Sequence, residues 1–130
     1  MLELLDKKKI CNSKILVVGA GGLGSPVIDL LVRAGVGFLG VIEDDKVDYS
    51  NLHRQTLYDF NDVGKYKLEV IKKKIKLINN KIKLKTFKEK ANDKNLDKIL
   101  PKFDIIVDGT DNFPTKFLLN KYSLKYKKKL

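Results

Sequence analysis

The stretch from Lys14 to Gly24 constrains the fold of this chain more than any other part of it. It reads Lys-Ile-Leu-Val-Val-Gly-Ala-Gly-Gly-Leu-Gly, and its apolar run is typical of a strand buried on both faces of a parallel sheet. Gly19, Gly21 and Gly24 have the G-x-G-x-x-G spacing, and Ser25-Pro26 is typical of a helix start. Glycines between a strand and a helix N-terminus let backbone amides approach a phosphate. The stretch therefore predicts a nucleotide site.

The next apolar run supports this prediction. Residues 38–42 form the run, and Glu43 follows it at roughly the 20-residue distance at which an acidic side chain hydrogen-bonds a ribose hydroxyl. The alternative interpretation is a glycine turn that serves only the packing of helix against strand.

The remaining elements predict an α/β domain. A leading helix or arm is expected over residues 1–13, and strands are expected at 14–18, 38–43, 82–87 and 103–107. Helices are expected at 25–34, 65–79, 92–100 and 114–125. This order predicts one domain, residues 1–130, with a Rossmann-like, doubly wound parallel sheet. Because ligands bind at the carboxyl ends of such strands, the glycine turn, Glu43 and Asp111 are expected to converge.

Composition excludes several classes of protein. No apolar run is long enough to span a membrane, and the first residues lack the order of a signal peptide. A single cysteine, Cys11, excludes an internal disulfide and a Cys-x-x-Cys zinc site, and it is expected to be an inert thiol in a reducing cytoplasm. The net charge of +11 comes from lysines without interleaved aromatic residues, so direct nucleic-acid binding is not favoured.

Two polar segments carry candidate phosphate and metal ligands. The long loop at 44–64 contains Arg54, whose guanidinium can grip phosphate oxygens, although a plain surface arginine is the alternative. Lys65 and Lys67, at the start of the following helix, are both expected to reach the same pocket, although two ordinary lysines of this lysine-rich chain are the alternative. Asp108 and Asp111 together suit Mg²⁺, but Asp111 also suits a helix cap.

Four motifs resemble those of the ThiF/MoeB/HesA family, whose adenylation domain is related to that of ubiquitin-activating enzymes. They are Gly-Ala-Gly-Gly-Leu-Gly, Ser-Asn-Leu-His-Arg-Gln, Gly-Lys-Tyr-Lys-Leu-Glu and Gly-Thr-Asp-Asn, in this order. The resemblance implies an ATP-dependent adenylyltransferase that requires Mg²⁺. Its substrate would be the C-terminal Gly-Gly carboxylate of a ubiquitin-like sulfur-carrier protein, in thiamine or molybdopterin sulfur transfer.

The resemblance also implies the site residues. Arg54, Lys67 and Asp111 are implied to be catalytic, and Asp111 is implied to hold the metal. The implied nucleotide-binding residues are Gly19, Gly21, Gly22, Gly24, Glu43, Ser50, Asn51, Leu52, His53, Arg54, Lys67, Asp111 and Asn112. The family usually has Asp where Glu43 stands.

The chain also departs from the family pattern. It ends at Leu130, before the catalytic cysteine and the zinc-binding motifs of many members, so we expect an incomplete, N-terminal nucleotide-binding half. We expect nucleotide binding with little pyrophosphate exchange, no adduct on Cys11, and a homodimer.

Three alternatives to this function stay open. One is activation of the carboxylate of a modified tRNA base, and another is a nucleotide-binding module without turnover. The third is an NAD-dependent oxidoreductase, against which Arg54-Gln55 and the Thr-Asp-Asn motif argue.

Overall fold

Four parallel strands form the centre of the protein, in a computed structural model that describes residues 6–130. The strands lie in the order β3-β2-β1-β4 and comprise β1 (Lys14–Val18), β2 (Phe38–Ile42), β3 (Lys83–Phe87) and β4 (Ile105–Asp108). The helices are α1 (Lys7–Asn12), α2 (Gly24–Ala34), α3 (Lys67–Ile78), α4 (Asp93–Ile99) and α5 (Phe113–Lys125). This order confirms the predicted doubly wound α/β fold.

Both faces of the sheet are buried, which explains the uninterrupted apolar run of β1. Val17 packs with Ile28 of α2 and Ile71 of α3 in one core. On the other face, Leu16 packs in a second core with residues of α4 and α5, among them Leu119. Because successive side chains of a strand point to opposite faces, a strand covered on both sides needs apolar residues at every position.

Helix α3 carries the predicted apolar stripe but begins two residues later than predicted. Leu68, Ile71 and Ile75 are buried on this stripe. Tyr66 is extended (φ −65°, ψ 134°) and forms an antiparallel bridge with Lys46, so the helix begins only at Lys67. The bridge ties the end of the long polar loop to its beginning.

Helices α4 and α5 are joined by ion pairs. Asp93 accepts a hydrogen bond from Lys121 at 2.7 Å, and one turn further along α4 Asp97 pairs with Lys125. Beyond α5, Lys129 forms a parallel bridge to Ile105 along the outer edge of β4.

Two predictions about the termini and membranes can be compared with the described residues. Helix α1 lies within the predicted leading segment, of which residues 1–5 fall outside the described part of the chain. Among residues 6–130 we find no helix with the length and apolar character needed to cross a bilayer.

Candidate nucleotide-binding site

The glycine turn after β1 is packed too tightly for side chains at two of its positions. Gly19 has a φ of +87°, which favours glycine. A Cβ on Gly24 would lie 1.8 Å from the carbonyl oxygen of Gly19, so α2 can begin there only with glycine. The turn after β4 presses on the same place, because a Cβ on Gly109 would lie 2.6 Å from that oxygen. The turns after two neighbouring strands therefore touch backbone to backbone.

A cleft of about 640 Å³ opens at the carboxyl ends of the strands beside these turns. Such an edge is where open α/β sheets bind their ligands. The residues that line the cleft come from the glycine turn, the polar loop, the start of α3 and the loop after β4: Gly19, Gly21, Gly22, Leu23, Glu43, Asp45, Asn51, Arg54, Gln55, Lys67, Gly109, Thr110, Asp111 and Asn112.

Two side chains from the connection between β2 and α3 hold the peptide groups of Ala20, in the middle of the glycine turn. Its N–H donates to Glu43 Oε2 at 2.7 Å, and its carbonyl accepts from the Tyr58 hydroxyl at 2.7 Å. Ala20 and Tyr58 are buried. Burial raises the pKa of the Tyr58 phenol above its usual range, and the Glu43 and Asp62 carboxylates raise it further. Tyr58 is thus a neutral donor that fixes the turn.

Glu43 organises the backbone around the cleft. Besides the bond from Ala20, its Oε1 accepts from the backbone N–H groups of Asp44 at 2.9 Å and Asp45 at 3.0 Å. A carboxylate that accepts three backbone bonds is held firmly in one position. Its contact with a ribose hydroxyl stays a prediction.

Lys67 places a buried ammonium at the cleft, whereas Lys65, also expected to reach the same pocket, does not line it and lies beside Asp62. Lys67 is 4% exposed, and its Nζ lies 3.9 Å from a carboxylate oxygen of each of Glu43 and Asp45. These distances exceed the range of a hydrogen bond, so the two carboxylates balance the charge without occupying the N–H groups. The ammonium can therefore donate to a ligand in the cleft.

Arg54 lies at the rim of the cleft above Gly22. A Cβ on Gly22 would lie 3.3 Å from Arg54 Cδ, which places the side chain directly over the turn. One guanidinium nitrogen donates to Asn51 Oδ1 at 2.9 Å. Because Asn51 orients the guanidinium with a single bond, several of its N–H groups stay available to an anion.

The polar residues in and before the loop after β4 have different roles. Asn112, not Asp111, caps α5, since its side chain accepts from the Thr115 N–H at 3.0 Å. Both carboxylate oxygens of Asp108 already have hydrogen-bond partners in the protein. One accepts from Thr110 and the other from Lys116 at 3.0 Å. Asp108 does not line the cleft, so the predicted pairing of Asp108 with Asp111 around Mg²⁺ finds no support in this geometry. Asp111 lines the cleft and is exposed.

Three predicted nucleotide-binding residues of the polar loop do not line the cleft. The Ser50 N–H donates to Asp48 Oδ1 at 2.8 Å, which caps a short 3₁₀ turn, and Leu52 packs against the core. His53 is exposed, with its Nε2 3.4 Å from a guanidinium nitrogen of Arg54. Their nucleotide contacts, like those of Gly24, stay predictions.

Sequence reasoning missed Tyr58 and Gln55 as parts of the site. Leu57 and Tyr58 form an apolar pair inside a polar loop, which signals a return to the core. Gln55 is the last residue of the Ser-Asn-Leu-His-Arg-Gln motif, and that position is the signal that could have indicated it. Gln55 is 4% exposed and lines the cleft, and its Oε1 has no hydrogen-bond partner among the described residues.

Comparison with known proteins agrees with this geometry. The model of the ThiF family matches residues 2–130. The chain belongs to the ThiF family. Membership confirms the resemblance that the four sequence motifs indicate.

Two curated relatives carry names that match the predicted activity. A sulfur carrier protein adenylyltransferase of Thermus thermophilus is 42% identical over 114 residues, which cover 88% of this chain and 42% of that protein. A probable molybdopterin-synthase adenylyltransferase of Porphyra purpurea is 39% identical over 127 residues, covering 98% of this chain and 33% of that protein. This ThiF-family chain therefore spans less than half the length of these relatives.

Solved structures of similar fold include a nucleotide complex. E. coli tRNA N6-threonylcarbamoyladenosine dehydratase, TcdA, in complex with ATP superposes with a TM-score of 0.91 at 27% identity, over 95% of this chain and 51% of that one. This likeness confirms the ThiF-type Rossmann-like fold. It also supports the predicted ATP binding.

Proposed function

We propose that this ThiF-family chain is the nucleotide-binding part of an adenylyltransferase, which joins AMP from ATP to a substrate carboxylate and releases pyrophosphate. The observation that carries the proposal is the Lys67 ammonium, which is buried beside the glycine turn with a carboxylate oxygen of each of Glu43 and Asp45 at 3.9 Å. A buried cation next to a helix N-terminus favours an anionic ligand, and a polyphosphate satisfies both groups at once.

The reaction needs positive charge more than it needs a base. A carboxylate oxygen of the substrate attacks the α-phosphorus, and the bond from that phosphorus to the bridging oxygen breaks as pyrophosphate leaves. The substrate carboxylate is already ionised near neutral pH, so no proton has to be removed. Arg54 and Lys67 would neutralise the phosphate charge that grows in the transition state. The Glu43 and Tyr58 bonds to Ala20 would keep the turn in place meanwhile.

Asp111 is the residue that would hold Mg²⁺. It is an exposed carboxylate at the cleft, and magnesium commonly uses one or two carboxylates together with the phosphates of a nucleotide. When bound, the ion would supply charge stabilisation to the phosphates.

The substrate we favour is the C-terminal carboxylate of a ubiquitin-like sulfur-carrier protein. Identities of 42% and 39% to relatives named as adenylyltransferases for a sulfur carrier and for molybdopterin synthase support it. The second candidate is the carboxylate of a modified tRNA base, which the structural likeness to TcdA supports. Identity to TcdA is only 27%, so the first candidate is preferred.

Assembly and location complete the proposal. Helix α5 exposes Phe113, Phe117 and Leu124 by 71–73%, which supports an assembly that covers this helix, and we propose a homodimer in the cytoplasm. Light scattering should show self-association that grows with concentration. A stable monomer at high concentration would contradict the dimer.

Calorimetric titration with ATP, AMP and NAD, each with and without Mg²⁺, tests the nucleotide proposal. We expect ATP to bind more tightly than NAD, with a contribution from Mg²⁺. Lys67→Met should weaken ATP binding, whereas the matched variant Lys65→Met should not, because Lys65 is outside the cleft and lies 3.9 Å from Asp62. Equal losses in both variants, or a preference for NAD, would contradict the proposal.

A further inference from the structure

A second cleft, of about 650 Å³, opens between the edge strand β3 and helix α4, and the described residues that line it differ from those of the nucleotide cleft. Five exposed lysines line it, and we call it the basic groove: Lys85, Lys88, Lys94, Lys98 and Lys102. Glu89 is the one carboxylate among the described residues that line the groove. So many positive charges around one concave surface favour a partner that is negatively charged.

The lysines of the basic groove lack the ion pairs that the acidic residues of α4 have. Both carboxylates of this helix, Asp93 and Asp97, are held by lysines of α5. Among residues 6–130, we find no carboxylate within ion-pair distance of any groove lysine. Lys94 and Lys98 are four residues apart on α4, where like charges repel each other. The described residues therefore leave this positive charge unbalanced, and an acidic partner would balance it.

Strand β3 also offers hydrogen-bonding groups at its free edge. In the described sheet it pairs with β2 alone. The Lys83 N–H and the Phe87 carbonyl bond toward the β2 side, at 3.2 and 3.1 Å. Because the backbone groups of successive strand residues point to opposite sides, those of Leu84 and Thr86 point away from the sheet. An edge of this kind can accept another extended segment as an additional strand.

We propose that the basic groove is a docking site for an extended, acidic segment of a partner protein, which adds a strand to β3 beside the groove lysines. Phe87 packs against the core that contains α4, so Lys85, two residues before it, lies on the same face of β3 as α4. In an added strand, every second side chain points to this face. A segment with acidic residues at alternate positions would therefore bring its carboxylates to the lysines of β3 and α4 while its backbone pairs with the edge.

A polypeptide fits this site better than a nucleic acid does. Phe87 is the one aromatic ring among the described residues of the groove, and it is half-buried against the core, so bases find no exposed ring on which to stack. A sugar–phosphate backbone also lacks the amide groups that pair with a strand edge. The cations that the structure describes in the groove are all lysines, without the arginines that grip phosphate oxygens with two N–H groups.

A capped, fluorescein-labelled peptide of alternating glutamate and threonine tests the charge complementarity, with fluorescence anisotropy as the readout. The wild-type chain should bind this peptide, and binding should weaken as salt is added. A groove variant should bind it about tenfold more weakly, as expected from the loss of three surface ion pairs. This variant carries Lys94→Gln, Lys98→Gln and Lys102→Gln.

A control variant removes the same charge from exposed lysines of α3 and should bind the peptide as tightly as the wild type does: Lys72→Gln, Lys73→Gln and Lys76→Gln. The groove variant should keep the melting temperature of the wild type, because the removal of like charges along α4 relieves repulsion.

Backbone methylation of the peptide tests the added strand and uses the wild-type chain alone. One peptide is N-methylated at every glutamate and another at every threonine, so both keep all their carboxylates. Only one of these two sets of N–H groups can face β3, so one methylated peptide should lose binding and the other should keep it. An oligouridylate with as many negative charges as the peptide should bind more weakly than the peptide.

Three results would each overturn the proposal. Equal losses in the groove and control variants would indicate diffuse attraction to a basic chain. Equal binding of the two methylated peptides would exclude an added strand. Tighter binding of the oligouridylate than of the peptide would indicate a nucleic-acid surface instead.

Discussion

Removal of the Tyr58 hydroxyl should lower stability near neutral pH and change how stability depends on alkaline pH. In Tyr58→Phe the buried carbonyl of Ala20 loses its partner at 2.7 Å. An unsatisfied buried carbonyl costs about 1–3 kcal/mol, which is the expected loss of unfolding free energy. The affinity for ATP should fall as well, because Ala20 in the glycine turn loses one of its two hydrogen bonds to side chains.

The pH dependence follows from the phenol. Burial raises the pKa of Tyr58 in the folded protein, while the unfolded chain keeps the ordinary value of about 10. The phenol's contribution to stability is therefore complete below about pH 10 and is lost as the pH rises above that value, since only the unfolded chain then releases the proton. At about pH 11 this linkage lowers the stability of the wild type by ~1.4 kcal/mol, and Tyr58→Phe lacks it.

Urea unfolding of both proteins near neutral pH and at about pH 11 measures this difference, because lysines and other tyrosines titrate alike in the two proteins. The stability gap between wild type and Tyr58→Phe should narrow by ~1.4 kcal/mol at the higher pH. A gap that stays constant would refute the argument that the folded protein keeps Tyr58 protonated. Calorimetric titration of both proteins with ATP would show whether ATP affinity depends on the Tyr58 hydroxyl.

Three further predictions concern the cleft and its turn. Arg54→Ala should weaken ATP binding by about 1.5–3 kcal/mol, measured by calorimetry, while the exposed control Arg33→Ala should not. Gly24→Ala should lower the melting temperature more than Gly35→Ala, because a Cβ at Gly24 meets the Gly19 oxygen at 1.8 Å, whereas a Cβ at Gly35 meets nothing within 4 Å and costs only the strain of alanine at a φ of +85°. Asp111→Asn should abolish the Mg²⁺-dependent part of ATP binding and preserve the rest, and an unchanged Mg²⁺ response would remove Asp111 as the metal ligand.

The sheet could be predicted from the sequence because its signals are local. β1 is observed at the residues predicted for it, since a buried strand between a lysine and a glycine turn has clear boundaries. The strand predicted at 103–107 is observed at Ile105–Asp108 because Phe103 closes a 3₁₀ turn by donating to the Leu100 carbonyl. Such a shift depends on the packing of a neighbouring element, which the residue pattern does not contain.

The cleft could be predicted only in part. Motif spacing indicates Arg54, Lys67 and Asp111, and all three line the cleft. Tyr58 and Gln55 were not predicted as site residues, because their contacts are with Ala20 and Gly21, which lie more than 30 positions away in the chain. Glu43 is indicated by its position, but its three bonds to backbone N–H groups emerge only once the strand ends meet.

The contact between Gly19 and Gly109 has a consequence for motion. Since these two glycines meet backbone to backbone, neither turn can move toward the other without displacing it. We therefore expect the glycine turn and the loop that bears Asp111 to move together as one unit. Accordingly, we expect any opening of the cleft to involve the exposed part of the polar loop around Arg54 more than these two turns.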